Sequence, residues 1–155
     1  MQDREYICQQ LQDGVVGTIF HTTTESLFQR LSPTGYLPES LTGTYDGEYC
    51  RTIGAFVPLC LEMGRTQQAR KALEFIFLSM EQLELEKIPH VLGVGANGNP
   101  YCISDEDQID GRAHVVLAFA QYCLTTGDAS FTDRFYNLVC RETRAFFNQP
   151  YFYYQ

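Results

Sequence analysis

The chain has 155 residues, of which 45% are hydrophobic and 14% aromatic, and it carries a formal net charge of −8. This length and composition predict a single globular domain with a packed core. The negative charge argues against nucleic acid and anionic membranes as partners, because both repel an acidic protein. The sequence has no run of about 18 apolar residues and no signal-peptide pattern, so we expect no membrane association and a cytoplasmic location.

The cysteines and histidines of this sequence do not form a recognisable metal motif. The six cysteines include no Cys-x-x-Cys pair, and three of them lie in apolar helical runs. The three histidines are scattered along the chain without a second ligand at helical spacing. We therefore expect buried, reduced thiols, as in a cytoplasmic protein, with no metal site and no cofactor.

The N-terminal part of the chain predicts helical structure. The first dozen residues carry a short helical pattern that Asp13-Gly14 would end. From Thr22 to Leu31, a Thr-rich start is followed by apolar residues on one side, which predicts an amphipathic outer helix that ends at Ser32-Pro33.

A first pair of helices is predicted between residues 53 and 83. From Ile53 to Met63 apolar residues cover every face, which predicts a helix buried all round, with a kink at Pro58. Gly64 is a helix stop. From Thr66 to Leu83 an apolar stripe faces a polar one, which predicts an amphipathic outer helix.

A long connection and a second pair of helices follow. Within the connection, apolar residues at 91–92 and 101–103 flank Asn97-Gly98, which predicts a small β-hairpin. Residues 113–124 are again apolar on all sides, and Gly127-Asp128 predicts a helix stop and the cap of the next helix. Residues 129–147 predict an amphipathic helix with an aromatic stripe, on which Glu142 also lies.

Two polar segments, residues 45–51 and 105–112, open the two apolar helices and make the chain look like a repeat. Their Asp-Gly glycines, Gly47 and Gly111, are 64 residues apart, and the glycines that end the apolar helices are 63 residues apart. A fixed period indicates stacked supersecondary units. Apolar inner helices alternating with amphipathic outer ones predict an all-α fold of αα-hairpin repeats, part of an (α/α)6 toroid.

The ordered set of polar and turn residues resembles the early hairpins of six-hairpin glycosidases, a superfamily that includes glucoamylase-like, trehalase-like and phosphorylase-like enzymes. The resemblance spans roughly residues 32–128. It implies that Arg51 and the segment Gln108-Ile109-Asp110 bind sugar hydroxyls. The residues that carry the resemblance are Tyr45-Asp46-Gly47, Arg51, Gly64, Asp107-Gln108-Ile109-Asp110-Gly111 and Thr126-Gly127-Asp128.

The resemblance implies that 155 residues form only part of a six-hairpin ring. A full ring of six hairpins needs on the order of 350 residues at this repeat length. We therefore expect residues 1–155 to form one partial toroid domain of about two and a half hairpins. The general acid and base of this superfamily usually come from later hairpins, so no catalytic residue is assigned. A missing C-terminal half or a homo-oligomer would close the ring, and the aromatic segment 150–154 fits an unfinished surface.

Acidic residues gather at the starts of both apolar helices. Glycoside hydrolysis needs two carboxyl groups, but acids at helix starts also cap free N–H groups and complement the helix dipole. Tyrosines near these acids are placed to stack on sugar rings or to pack in the core. The predicted substrate-binding residues are Tyr45, Asp46, Arg51, Asp107, Gln108 and Asp110.

The sequence thus predicts a carbohydrate-active protein of the glycoside hydrolase type that binds an oligosaccharide or glycoside. The alternative is a non-catalytic helical-repeat module that binds protein. A third interpretation is a terpene-cyclase-like toroid in which Asp105-Glu106-Asp107 binds magnesium.

Overall fold

The computed structural model describes residues 6–7, 9, 12–40 and 45–148. Within them the fold is mainly helical, with a small three-stranded antiparallel sheet. The predicted helix in the first dozen residues lies partly outside the described residues, and the aromatic segment 150–154 lies wholly outside them. In chain order the elements are α1 (Val15–Arg30), β1 (Glu48–Tyr49), α2 (Cys50–Glu62), α3 (Thr66–Gln82), β2 (Val91–Val94), β3 (Pro100–Ser104), α4 (Ile109–Thr126) and α5 (Ala129–Asn148).

The predicted helices are confirmed, although three of them begin earlier than the sequence indicated. Helix α1 begins at Val15, α2 at Cys50 and α4 at Ile109. Their first turns carry polar residues among apolar ones, so the apolar pattern alone locates the middle of each helix and not its start.

The predicted helix stops are also confirmed. Gly64 and Gly127 have positive φ angles of 68° and 64°, which glycine adopts without steric cost. After Gly127, the Asp128 carboxylate accepts a hydrogen bond from the Phe131 backbone N–H at 3.1 Å and so caps the start of α5. The α2–α3 and α4–α5 pairs are therefore helical hairpins with short connections.

The predicted β-hairpin is confirmed, and a third strand joins it. Strands β2 and β3 pair antiparallel, and β1 pairs with β2 so that Glu48 lies opposite Leu92. Glu48 belongs to the polar segment that leads into α2, but it lies in a strand and not in the first turn of the helix. Strand β1 has only two residues, which is too short to show the alternation that marks a strand.

The core is formed by residues of α2, α3, α4 and α5, and an aromatic cluster lies between α3, α4 and α5. Phe77 and Phe135 have centroids 5.0 Å apart, and Phe131 packs edge-on against Tyr122 at 4.9 Å. Phe119 completes this cluster at 5.8 Å from Phe131. These ring separations are typical of favourable aromatic pairs, so α3 and α5 are packed firmly against α4.

Burial on all faces, predicted for the two apolar helices, is wrong for α4. Leu117 is 60% exposed and Leu124 is 87% exposed. Helices α2, α3 and α5 pack against α4 and leave this side uncovered. An apolar composition on every face therefore does not by itself mean that every face has a neighbour in this chain.

Helices α2 and α4 run parallel and in close contact. Arg51 in the first turn of α2 lies beside Asp110 and Gly111 at the start of α4, and three residues further on Gly54 lies against His114. The contacts advance in the same direction along both helices, so their N-termini lie side by side. This relationship positions the site described next.

Candidate functional site

The N-termini of α2 and α4 are linked by an ion pair. Nη1 of Arg51 lies 3.4 Å from Oδ2 of Asp110, and both side chains are 56% exposed. The pKa of Asp110 lies below its usual range. The main cause is a hydrogen bond from the Gly111 backbone N–H, and the Arg51 guanidinium lowers the pKa further. Asp110 is therefore an ionised acceptor beside a guanidinium donor, a combination that suits a ligand with hydroxyl groups.

Aromatic rings lie on the segment that leads into α2. Tyr45 is exposed and packs edge-on against Tyr49 at a centroid distance of 5.9 Å. Tyr49 in turn contacts the ring of His90 at 5.2 Å. The contact with Tyr49 thus holds the Tyr45 ring in place, and its exposed surface is placed to contact the apolar face of a ligand.

Asp46 lies in the same segment, exposed to solvent, and its backbone carbonyl accepts a hydrogen bond from the Tyr36 hydroxyl. Burial, together with the charges of Glu48 and Asp46, raises the pKa of Tyr36 to about 12. Tyr36 therefore stays protonated and holds this segment in place as a donor, while the Asp46 carboxylate remains at the surface.

Asp107 and Gln108 lie on the other side of the start of α4. Oδ1 of Asp107 accepts a hydrogen bond from Nη1 of Arg112 at 2.6 Å, and Gln108 occupies the N-cap position of α4. The backbone carbonyl of Gln108 accepts from the Arg112 N–H at 3.2 Å. The six predicted residues thus divide between two neighbouring places rather than forming one cluster.

Arg112 is held by a second and deeper carboxylate. Its Nε donates to Oε2 of Glu142 at 2.9 Å, and the two side chains are only 4% and 1% exposed. The guanidinium also lies over the Phe146 ring at 5.1 Å. The two carboxylates raise the pKa of Arg112 although its burial opposes this, so Arg112 stays charged.

A cleft opens beside this ion-pair network, between the α3–β2 connection and α5. Its volume is about 490 Å³, within the range typical of small-molecule sites. Its lining includes Lys87 and four residues of the ion-pair network and its surroundings, Asp105, Asp107, Arg112 and Glu142. We call this concavity the Arg112 cleft.

Sequence reasoning missed two buried acids. The sequence shows Glu142 only as one member of the aromatic stripe of α5. An acid on a stripe that is buried needs a cationic or hydrogen-bonding partner, and this was the available signal. Glu48 is fully buried and accepts a hydrogen bond from the Leu37 backbone N–H at 2.6 Å, while its Oε1 has no hydrogen-bond partner among the described residues. Burial raises the pKa of Glu48 well above its usual value.

Ser104, His90 and Glu106 lie together near Tyr49 and have the residue types of a catalytic triad. Ser104 Oγ is 3.5 Å and Glu106 Oε2 is 3.9 Å from His90, but both contacts involve the same ring nitrogen, Nδ1. A nucleophile–base–acid triad uses the two different ring nitrogens. These three residues are therefore not arranged as a triad.

Two of the described cysteines, Cys50 and Cys60, are not disposed for covalent catalysis. Cys50 and Cys60 are buried free thiols, and burial raises the pKa of each, to about 12 for Cys60. A nucleophilic cysteine needs the opposite shift. These thiols therefore act as small apolar side chains.

The described residues contain neither a metal-binding cluster nor a helix suited to span a membrane. No group of three or more His, Cys, Asp or Glu side chains is placed to hold a metal ion, so the acids at 105–107 gain no support as a magnesium site. Among the helices described, none has the length and apolarity needed to cross a bilayer.

Comparison of the chain with protein-family models, with curated proteins and with solved structures finds no significant match.

Proposed function

We propose that this protein binds a neutral oligosaccharide or glycoside at the N-termini of α2 and α4, as part of an α/α toroid of the six-hairpin glycosidase type. The observation that carries the proposal is the Arg51–Asp110 pair, which joins the starts of two parallel helices. In a toroid the inner helices lie side by side, and the parallel contact of α2 with α4 fits that arrangement.

The chemistry of the surface supports a ligand rich in hydroxyl groups. Each hydroxyl both donates and accepts hydrogen bonds, so a carboxylate and a guanidinium side by side can bind neighbouring hydroxyls. Asp110 and Arg51 provide this pair, and the exposed ring of Tyr45 lies on the segment preceding α2. The net charge of −8 disfavours anionic ligands.

The role proposed for this chain is to bind substrate, with the catalytic carboxylates supplied by further hairpins. The uncovered side of α4, with Leu117 and Leu124, is where the ring would continue, either through more of the same polypeptide or through another copy. The free thiols of Cys50 and Cys60 support the proposal of a cytoplasmic location.

The proposal is tested by calorimetry with a panel of neutral α- and β-linked gluco-oligosaccharides. We expect at least one to bind, and we expect Asp110→Asn to weaken binding about tenfold because it removes a charged acceptor. Asp133→Asn is the matched control, because it makes the same change at an exposed position of α5. If no oligosaccharide binds, or if both variants behave alike, the proposal is wrong.

The exposed apolar residues favour a second candidate, a helical-repeat module that binds protein. Besides Leu117 and Leu124, α1 exposes Val15 and Ile19. Large exposed apolar side chains on neighbouring helix turns are typical of interaction surfaces. Sedimentation analysis distinguishes the candidates: sugar binding by the monomer or by a complex of identical copies supports the first, and a stable complex with a different protein that forms without sugar supports the second.

A further inference from the structure

The Arg112 cleft and the Arg51–Asp110 pair lie on opposite sides of the start of α4. Arg51 belongs to α2, so its contact with Asp110 is on the α2 side. Glu142 belongs to α5, so its contact with Arg112 is on the α5 side. Asp107, which precedes α4 in the chain, contributes to the cleft wall. Because the start of α4 separates the two places, a ligand that contacts both must be longer than a single sugar ring.

The wall of the cleft is built around a buried charge network. Arg112 joins Asp107 and Glu142 through separate nitrogens, at 2.6 Å and 2.9 Å. Asp107 is partly exposed, but the Arg112–Glu142 pair is buried and costly to break, so the orientation of Arg112 is fixed before any ligand arrives. A rigid wall of polar groups lowers the ordering cost of binding.

The lining of the Arg112 cleft contains hydrogen-bond acceptors, hydrogen-bond donors and apolar side chains. Five carboxylates line the cleft together with three cationic groups. The acids are Glu84, Glu86, Asp105, Asp107 and Glu142, and the cations are Lys87, Arg112 and Arg141. Pro89 and Ala145 add apolar surface. An ion of either sign meets repulsion from part of this lining, whereas a neutral polyol finds partners for its hydroxyls and for its C–H faces.

We propose that the Arg112 cleft is a second subsite, which holds a further unit of a neutral oligosaccharide bound at Arg51 and Asp110. This inference rests on the proposed function and extends it, because it fixes the ligand as one of at least two sugar units. The cleft supplies hydrogen bonds to the unit beyond the helix starts, and Glu142 keeps Arg112 in the orientation that shapes the wall.

The test measures affinity against chain length, using neutral gluco-oligosaccharides of one to six units and the full chain. We expect affinity to rise as the oligosaccharide becomes long enough to enter the cleft. Asp105→Asn changes an exposed cleft residue, and Ala145→Leu reduces the cleft volume. Each should lower the affinity of long ligands about five- to tenfold and leave that of the shortest binding ligand unchanged. Thermal melts and Asp133→Asn control for folding and for general loss of charge.

The outcomes separate this inference from the proposed function. If short and long oligosaccharides bind equally well to the wild type and to both cleft variants, the second subsite is overturned and sugar binding at the helix starts stands. If no ligand of any length binds, the proposed function itself fails. If the cleft variants weaken all lengths equally, the cleft is part of one site and not a second subsite.

Discussion

The backbone N–H of Leu37 donates a hydrogen bond to Oε2 of Glu48 across 2.6 Å, in a region from which solvent is excluded. Within the part of the chain that the structure describes, the other carboxylate oxygen of Glu48 has no hydrogen-bond partner. Through this contact a buried acid attaches the segment after α1 to the sheet. A buried carboxyl group with one unsatisfied oxygen makes stability depend on pH.

The pKa of Glu48 is raised by burial, so the folded state holds its proton at pH values where the unfolded chain has released it. The stability that Glu48 contributes is complete below the unfolded pKa of about 4.3 and is lost as pH rises towards the folded pKa. The loss is at most about 1.4 kcal/mol per pH unit for one group.

Glu48→Gln should remove this loss, because the amide stays neutral and can still accept from Leu37. The measurement is the free energy of unfolding in urea between pH 5 and 8. Glu39→Gln, at an exposed position nearby, is the control and should follow the wild type. Parallel pH curves for the wild type and Glu48→Gln would refute the prediction.

Glu142→Ala should be strongly destabilising, by about 3–5 kcal/mol, because it leaves Arg112 partly uncompensated in a buried place. Replacing both partners, as in Arg112→Met with Glu142→Leu, should cost less than Glu142→Ala alone. Arg51→Ala should cost far less, since that ion pair is half exposed. Chemical denaturation of the three variants checks the order, and equal losses from Glu142→Ala and Arg51→Ala would contradict it.

Gly54→Ala should disrupt the contact between α2 and α4. A Cβ at this position would lie 2.4 Å from Cβ of His114 and 2.9 Å from its carbonyl carbon, so the helices must separate. We expect a loss of about 1–3 kcal/mol. At Gly111 a Cβ would meet the Arg51 backbone at an ordinary 3.5 Å, so Gly111→Ala should be neutral or stabilising by up to about 1 kcal/mol. Melting temperatures of the pair provide the check, and similar shifts would show that the close approach is not what matters.

Glu84→Gly should stabilise the fold. Glu84 has a positive φ of 53° just after α3, where Gly is the usual residue, and the N–H of Leu85 bonds back to the Met80 carbonyl at 2.9 Å. Glycine would relieve the backbone strain and remove a negative charge from the helix C-terminus, for a gain of about 0.5–1 kcal/mol. Glu84→Ala keeps the strain and should gain less.

Gly64→Ala is the matched reverse change. Gly64 has a φ of 68° with no atom within 4 Å of the position of a Cβ, so only backbone strain opposes the substitution. It should destabilise by about 1 kcal/mol. If thermal melts show the two changes shifting stability in the same direction, strain at this helix position is not the cause.

Much of the fold could be predicted from local pattern. The apolar and amphipathic periods located the two helical hairpins, and Gly64, Gly127 and Asp128 located their turns, because these features depend on residues close together in sequence. Strand β1 could not be predicted, since a two-residue strand exists only through its pairing with Val91 and Leu92.

The candidate site could be predicted only in part. The sequence identified polar residues at the starts of both apolar helices, and Arg51 does meet Asp110. It could not tell that Asp107 faces Arg112 instead, because that depends on which side of α4 is covered by α5. Sugar binding by these residues remains a prediction.

By itself, the sequence determined which segments are helical, where they stop and which residues are polar at their starts, because backbone sterics and the hydrophobic period act over a few residues. The tertiary structure alone decided that α2 and α4 run parallel, that Glu48 and Glu142 are buried, and that an open cleft lies beside Arg112. Such features depend on contacts between residues far apart in the chain, and only the packing of complete helices fixes them.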